Sequence, residues 1–167
     1  MLKRIKQFLM GLFARLSEND YTFVADRLTK AEYEIFLTLA RYDKKHAVMV
    51  ARCLENEGAK LELVRAGLLH DIGKAGCPEL TLVRRSIAVF LEWKAPEETL
   101  LLAKKGRGKL AVAVRAHKLH PEIGATILEE MGADDYIVSI VRLHQSGEAG
   151  EDIKADIEHL RSIDDRL

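Results

Sequence analysis

Apolar residues recur every three or four positions along almost the whole of this 167-residue chain, and this spacing constrains the fold more than any other feature. The pattern is interrupted by only three prolines and eleven glycines, so helices are expected to follow one another through short turns. Apolar residues make up 48% of the sequence and charged residues 31%, which is typical of a chain with a buried core. The sequence therefore predicts an all-α protein folded as a compact helical bundle.

Capping residues and prolines predict the helix boundaries. Thr29 and Glu32 form a capping-box pair that opens one helix. Asp43 is expected to cap the next helix, which ends at Gly58, and a further helix is predicted over 61–71. The remaining helices are expected at 82–91 after Pro78, 96–106, 110–117, 121–132 opening at Pro121, 135–144 and 152–167.

Residues 1–18 are predicted to form an amphipathic N-terminal helix ahead of a single domain at 19–167. We expect its apolar stripe to pack on the domain or on a second subunit. Peripheral attachment of residues 1–16 to an anionic membrane surface is the alternative, because they carry four cations and no acid. No stretch is long and apolar enough to predict a transmembrane segment. The sequence does not indicate an oligomeric state.

The overall charge and the cysteines limit the partners and the compartment. The formal net charge is zero, which argues against binding to a nucleic-acid polymer. Cys53 is expected in the core and Cys77 in a loop. Two cysteines without a paired motif or a signal peptide favour a reducing compartment, and a cytoplasmic location is expected.

Imidazole and carboxylate groups stand side by side at His70 and Asp71, where the helix predicted over 61–71 ends before Gly73. This pair suits a first-row divalent metal. Four further donors are expected to point inward: His46, His120 at the start of the helix opened by Pro121, His144 and Asp164. Because so many buried polar groups would be costly without partners, we interpret these six side chains as metal ligands.

The remaining candidates are given structural roles. His117 lies in a predicted polar turn and His159 lies off the apolar stripe of its helix, so both are expected at the surface. Trp93 and Phe90 are predicted to pack in the protein interior. The basic stretch 104–109 could be a lid that gathers phosphate, but a solvated turn is the preferred interpretation.

The order of these donors resembles the signature of the HD-domain metal-dependent phosphohydrolase superfamily. His46 is followed by His70 and Asp71 within Leu-Leu-His-Asp-Ile-Gly-Lys, and later by Asp164, so that the resemblance covers roughly residues 40–165. It implies an all-helical bundle that holds one or two divalent metals. It also implies a small phosphorylated substrate, mostly a nucleotide or another phosphate ester.

The segments around His120 and His144 resemble the two added histidines of the HD subgroups with a binuclear centre, which are typically phosphodiesterases. The resemblance implies that Asp71 bridges two ions and acts in catalysis, with Lys74 binding a phosphate oxygen of the substrate. One ion would take His46, His70 and Asp164, and the other His120 and His144. Iron and manganese are favoured, and cobalt, nickel and zinc also suit such ligands.

The sequence departs from two known subgroups. His144 is followed by Gln145-Ser146-Gly147 and not by the Gly-Tyr-Pro of the HD-GYP cyclic dinucleotide phosphodiesterases. That run is more similar to the His-Thr-Thr-Gly of symmetrical diadenosine tetraphosphate hydrolases, although the spacing after Asp71 is longer here. A dinucleoside polyphosphate hydrolase and a nucleotide phosphomonoesterase with a single metal therefore remain alternatives. A non-catalytic nucleotide-binding signalling module is a third.

Overall fold

The described part of the chain, residues 15–146 and 150–167 of a computed structural model, consists of helices joined by turns and loops. No strand occurs within these ranges, and the all-α prediction is confirmed. None of the described helices is long and apolar enough to cross a lipid bilayer. The helices are α1 Glu18–Ala25, α2 Lys30–Leu37, α3 Arg41–Asn56, α4 Leu61–Leu69, α5 Leu82–Lys94, α6 Pro96–Lys105, α7 Lys109–Glu130, α8 Asp135–Leu143 and α9 Glu151–Asp164, with a 3-10 turn at Ile72–Lys74.

Most of the predicted N-terminal helix lies outside the described residues, which begin at Arg15. Residues 15–17 are not helical, so the prediction that this helix includes Leu16 is wrong. Ser17 instead caps α1 and forms a capping box with Asp20. Leu16 packs against the main core.

The start of α3 differs from the prediction. The capping residue is Ala40, and Asp43 lies in the first turn of the helix. Asp43 does not cap because its two carboxylate oxygens accept hydrogen bonds from Arg85 at 2.7 and 2.8 Å. The capping box of Thr29 and Glu32 at the start of α2 is confirmed.

The helix predicted from residue 82 begins there, but Pro78 does not lie in its first turn, and the helix start predicted at Pro121 is wrong. Pro78 lies in the loop before α5, whose cap is Thr81. Pro121 lies inside α7, so the separate helices predicted over 110–117 and 121–132 are one helix of 22 residues. A proline lacks the N–H that bonds to the carbonyl four residues earlier. The helix nevertheless continues, because the carbonyl of His117 accepts a hydrogen bond from the ring of His120 instead.

The main core is enclosed by α1–α4, the 3-10 turn, α8, α9 and the second half of α7. Its largest fully buried apolar side chains are Phe36, Leu54, Leu63, Leu68, Leu69, Ile72, Leu128, Ile137, Ile140, Leu160 and Ile163. Cys53 packs against this core as predicted. Cys77 lies in the loop before α5 and packs against a small cluster around Leu80.

Helices α5 and α6 lie outside this core and are held by smaller contacts. A separate cluster of Ala88, Ala103 and Val114 joins them to α7. The prediction that Phe90 and Trp93 pack in the interior is wrong, because these side chains are 55% and 72% exposed. Their rings lie 6.0 Å apart and contact each other at the surface.

The 3-10 turn approaches α7 very closely at Gly73. A Cβ atom at this position would lie 2.1 Å from the carbonyl oxygen of His120 and 2.7 Å from the backbone nitrogen of Gly124. Only glycine fits such an approach without moving the backbone. The contact brings Asp71, two residues before Gly73, next to His120.

Candidate metal centre

The six predicted ligands lie together at the meeting point of five elements, in two groups. The first group consists of His46 from α3, His70 and Asp164, and the second consists of Asp71, His120 and His144. Within each group the ligand atoms all lie within 4.8 Å of one another.

Asp71 lies between the two groups. Its Oδ2 is 3.6 Å from Nε2 of His70 in the first group, and its Oδ1 is 3.1 Å from Nε2 of His120 in the second. The first group is closed by Asp164, whose Oδ1 is 2.6 Å from Nε2 of His46 and 3.7 Å from Nε2 of His70. One carboxylate therefore faces both sets of histidines.

Three of the histidines are oriented by the same backbone arrangement. Nδ1 of His70, His120 and His144 lies 2.7–2.9 Å from the carbonyl oxygen three residues earlier. His70 and His144 directly follow α4 and α8, where the last carbonyls have no helical partner. His120 uses the carbonyl of His117, which Pro121 leaves without its helical donor. Because a carbonyl only accepts, Nδ1 carries the proton in each ring.

The opposite ring nitrogens fit a metal ion. Among the described residues, the Nε2 atoms of His70, His120 and His144 are buried and have no hydrogen-bond partner. Burial is the main reason that the pKa of His120 lies below its ordinary value and that the pKa of His144 is lowered to about 3. These two rings are therefore neutral, and each presents an Nε2 lone pair. A lone pair 3.1 Å from the carboxylate of Asp71 is repelled by it unless a cation lies between them.

The two carboxyl groups are ionised. Burial alone would raise the pKa of Asp71, but the charges of Lys74 and His70 hold it well below its usual range. Burial would also raise the pKa of Asp164, but its hydrogen bond with His46 and its electrostatic interactions with His70 and His46 together outweigh this and lower the pKa to about 2. Carboxylate and neutral imidazole together are the donors that first-row divalent metals bind.

The mouth of the centre is lined by residues that the sequence pattern did not single out. The Tyr42 ring stacks on His46 with the centroids 6.1 Å apart, and Cζ of Arg85 lies 5.2 Å from the centroid of the Tyr42 ring. Burial is the main cause that raises the pKa of Tyr42, and Asp71 raises it further. Asp43 lies three residues before His46 on the same helix face, and this spacing could have indicated that Asp43 lies near the centre. Nothing in the sequence pairs Asp43 with Arg85.

Two other histidines lie outside both groups. The prediction that His117 lies at the surface is wrong, because its side chain is 18% exposed and its Nε2 lies 3.2 Å from Oε2 of Glu92. Burial is the main cause that lowers the pKa of His117 to about 4. His159 is partly exposed, and its Nε2 lies 2.8 Å from Oε2 of Glu57.

Comparison with protein families gives a match to the HD domain over residues 44–166. Comparisons with curated proteins and with solved structures gave no significant match. The matched segment contains all six side chains of the two groups. HD domains are generally metal-dependent phosphohydrolases, in agreement with buried imidazole and carboxylate groups that converge from separate helices. The chain belongs to the HD-domain family.

Proposed function

We propose that this protein is a phosphodiesterase with a binuclear metal centre, acting on a nucleotide-like phosphoester. The observation that carries the proposal is the position of Asp71, whose two oxygens face different histidine groups. A single-metal enzyme needs only the first group and Asp71. It has no use for His120 and His144, whose unpartnered Nε2 atoms are costly to bury.

Each of the two groups of side chains is assigned to one metal ion. His46, His70 and Asp164 hold one ion, His120 and His144 hold the other, and Asp71 is shared. Iron or manganese is favoured, and cobalt, nickel and zinc are compatible with the same donors. Divalent ions supply Lewis acidity toward a phosphoryl oxygen and lower the pKa of water to near neutrality.

Lys74 is proposed to act on the substrate with Asp71. Its Nζ lies 2.5 Å from Oδ1 of Asp71, and its side chain is 10% exposed. An ammonium group here attracts a phosphate ester and stabilises negative charge that builds on its oxygens. Lys74 is not needed to hold metal, since a protonated amine has no free lone pair.

Space for the organic part of a substrate lies beside Lys74. A half-open cavity of about 270 Å³ is lined by Lys74 and Leu80, and a second of about 350 Å³ is lined by Tyr42, Leu80 and Arg85. The two cavities share Ala40, Cys77, Pro78 and Leu80 in their walls. An apolar wall flanked by cations and an aromatic ring suits a nucleoside phosphate.

The double variant His120→Ala/His144→Ala tests the binuclear centre. After anaerobic reconstitution with iron or manganese, we expect two metals per wild-type chain and one in the variant by elemental analysis. Hydrolysis of bis(p-nitrophenyl) phosphate should fall by about a hundredfold or more in the variant. Lys74→Ala should keep both metals and lose about tenfold in turnover.

His159→Ala and Asp165→Ala are the matched controls, since both residues lie outside the two groups; each should keep both metals and full activity. Asp164→Ala should weaken the first ion. Wild-type protein that binds at most one metal per chain would contradict the binuclear centre. Two bound metals without hydrolysis of any phosphoester would instead favour a binding module.

A further inference from the structure

Helix α5 directs its larger apolar side chains away from the protein. Four of these side chains are between 39% and 72% exposed and are called here the outer face of α5: Val83, Ile87, Phe90 and Trp93. They follow one another at helical spacing and so form one stripe. The opposite side of the helix carries the buried Ala88, together with Arg85 and Glu92, which bond to residues of α3 and α7. The apolar side of α5 therefore has no partner among the described residues.

The neighbouring helix α6 also exposes a large apolar side chain. Leu101 of that helix is 54% exposed, and α5 and α6 pack against each other. A patch of several exposed apolar side chains marks an interaction site more often than single exposed apolar residues do.

The surface around this face is positively charged. Segment 82–109 contains seven lysine or arginine residues and three glutamates, in a chain whose formal net charge is zero. Glu92 is paired with Lys118 of α7, so it does not offset the exposed cations. Glu97 and Glu98 are the two exposed acids in this segment. The exposed cations are Lys94, Lys104, Lys105, Arg107 and Lys109.

We propose that the outer face of α5 binds an anionic lipid surface. Phe90 and Trp93 would enter the boundary between headgroups and acyl chains, where amphipathic aromatic rings are favoured. Lys104, Lys105 and their neighbours at the end of α6 would lie against anionic headgroups. Residues 1–16 carry four cations and no acid, so their composition suits the same surface.

Charge favours lipid over the two protein partners that could cover the same face. A second copy of the chain would bring one positively charged surface against another. Residues 1–16 are also cationic and would be repelled by the exposed cations of 82–109 in the same way. An anionic membrane complements both the apolar stripe and the charge around it.

Trp93 is the one tryptophan of the chain, so its fluorescence reports on this face directly. The full-length protein is titrated with vesicles of phosphatidylcholine alone or mixed with phosphatidylglycerol. We expect the emission to shift to the blue only with the anionic vesicles, and less at high salt. Lipids brominated in their acyl chains should quench it, which shows that the ring enters the bilayer.

Variants separate the apolar and charged contributions. Phe90→Ser should weaken binding by about tenfold, and Lys104→Gln/Lys105→Gln should also weaken it by about tenfold. Leu61→Ser is the matched control, because Leu61 is 55% exposed but lies on α4, and it should bind as the wild type does.

Three outcomes would overturn the proposal. Emission that neither shifts nor is quenched with anionic vesicles excludes lipid binding by this face. Blue-shifted emission without vesicles that grows with protein concentration identifies a second copy as the partner. Blue-shifted emission without vesicles that is independent of concentration identifies a segment of the same chain.

Discussion

The metal centre and the outer face of α5 depart from normal burial in opposite directions. At the centre, His70, His120 and His144 bury ring nitrogens that no described residue satisfies. On α5, Phe90 and Trp93 expose apolar rings that no described residue covers. Each region therefore carries an unmet requirement, and the two requirements call for opposite chemistry. A cation satisfies the first region, and an apolar, negatively charged surface satisfies the second.

Helix α5 belongs to both regions. On its inner side Arg85 reaches Asp43, whose neighbour Tyr42 stacks on the predicted ligand His46. On its outer side the same helix presents Phe90. An element with a polar side inward and an apolar side outward buries less apolar surface than a core helix, so we expect its ion pairs to contribute much of what holds it in place.

The largest effect is expected at that ion pair. Arg85→Met leaves the carboxylate of Asp43, which is almost fully buried, without its partner, and should lower the free energy of unfolding by about 3–5 kcal/mol. Urea unfolding of metal-free protein measures it. Arg84→Met is the control, since the guanidinium of Arg84 donates to the carbonyl of Glu79 and the variant should lose about 1 kcal/mol or less. Equal losses in the two variants would mean that ion pairing does not hold α5.

A smaller effect of opposite sign is expected at the metal centre. His144→Leu removes a buried, unpartnered ring nitrogen, but it also removes the hydrogen bond from Nδ1 to the carbonyl of Val141. We therefore expect it to stabilise metal-free protein by no more than about 1 kcal/mol at pH 6, while it weakens metal binding. Unfolding measured in the presence of a chelator tests the change in stability, and the metal content of the reconstituted variant tests the weaker metal binding. Destabilisation at this pH would mean that the ring contributes more through packing than it costs through burial.

The pH dependence of the same variant adds a second test. The pKa of His144 is lowered to about 3 in the folded chain, from an ordinary value of 6.5. As the pH falls below 6.5, the unfolded chain binds a proton there and the folded chain does not. The contribution of the neutral His144 ring to the free energy of unfolding of metal-free protein is therefore fully present above pH 6.5. It is lost as the pH falls from 6.5 toward 3. His144→Leu should make this loss shallower, and an unchanged slope would contradict the buried neutral ring.

The smallest effect is expected on the outer face of α5. Phe90→Ser should change the free energy of unfolding by about 0.5 kcal/mol or less, because the side chain loses little contact. Phe36→Ser is the comparison, since this ring is fully buried and should cost about 3–5 kcal/mol. A loss at Phe90 above about 1 kcal/mol would mean that protein covers this face in solution.

Three of the predicted ligands, His46, His144 and Asp164, could be placed at the centre from the sequence because each lies at a fixed helical spacing from residues that must be buried. The other three, His70, Asp71 and His120, are indicated by the predicted helix ends at which they stand. His46 and Asp164 share faces with core residues such as Val50 and Leu160. The orientation of α5 could not be predicted in this way. A periodic pattern identifies an apolar stripe, but it does not say whether the stripe meets the core or the surroundings.

Long-range pairs and the continuity of α7 also escaped prediction. Asp43 and Arg85 are 42 positions apart, and only the folded chain brings them together. Pro121 is a strong helix-start signal in isolation. Here the ring of His120 supplies the donor that Pro121 lacks, a compensation that depends on the tertiary role of the histidine.

The hydrogen bonds from the histidine rings to backbone carbonyls have a thermodynamic consequence. They restrict the rotamers of three rings as the chain folds, so this conformational entropy is lost before any ion arrives. Ordering side chains on binding costs about 0.5–1.5 kcal/mol each, or about 1.5–4.5 kcal/mol for three. A preorganised centre avoids that penalty at the moment of loading. Protein from which a chelator has removed the metal is therefore expected to bind metal again without a slow conformational step.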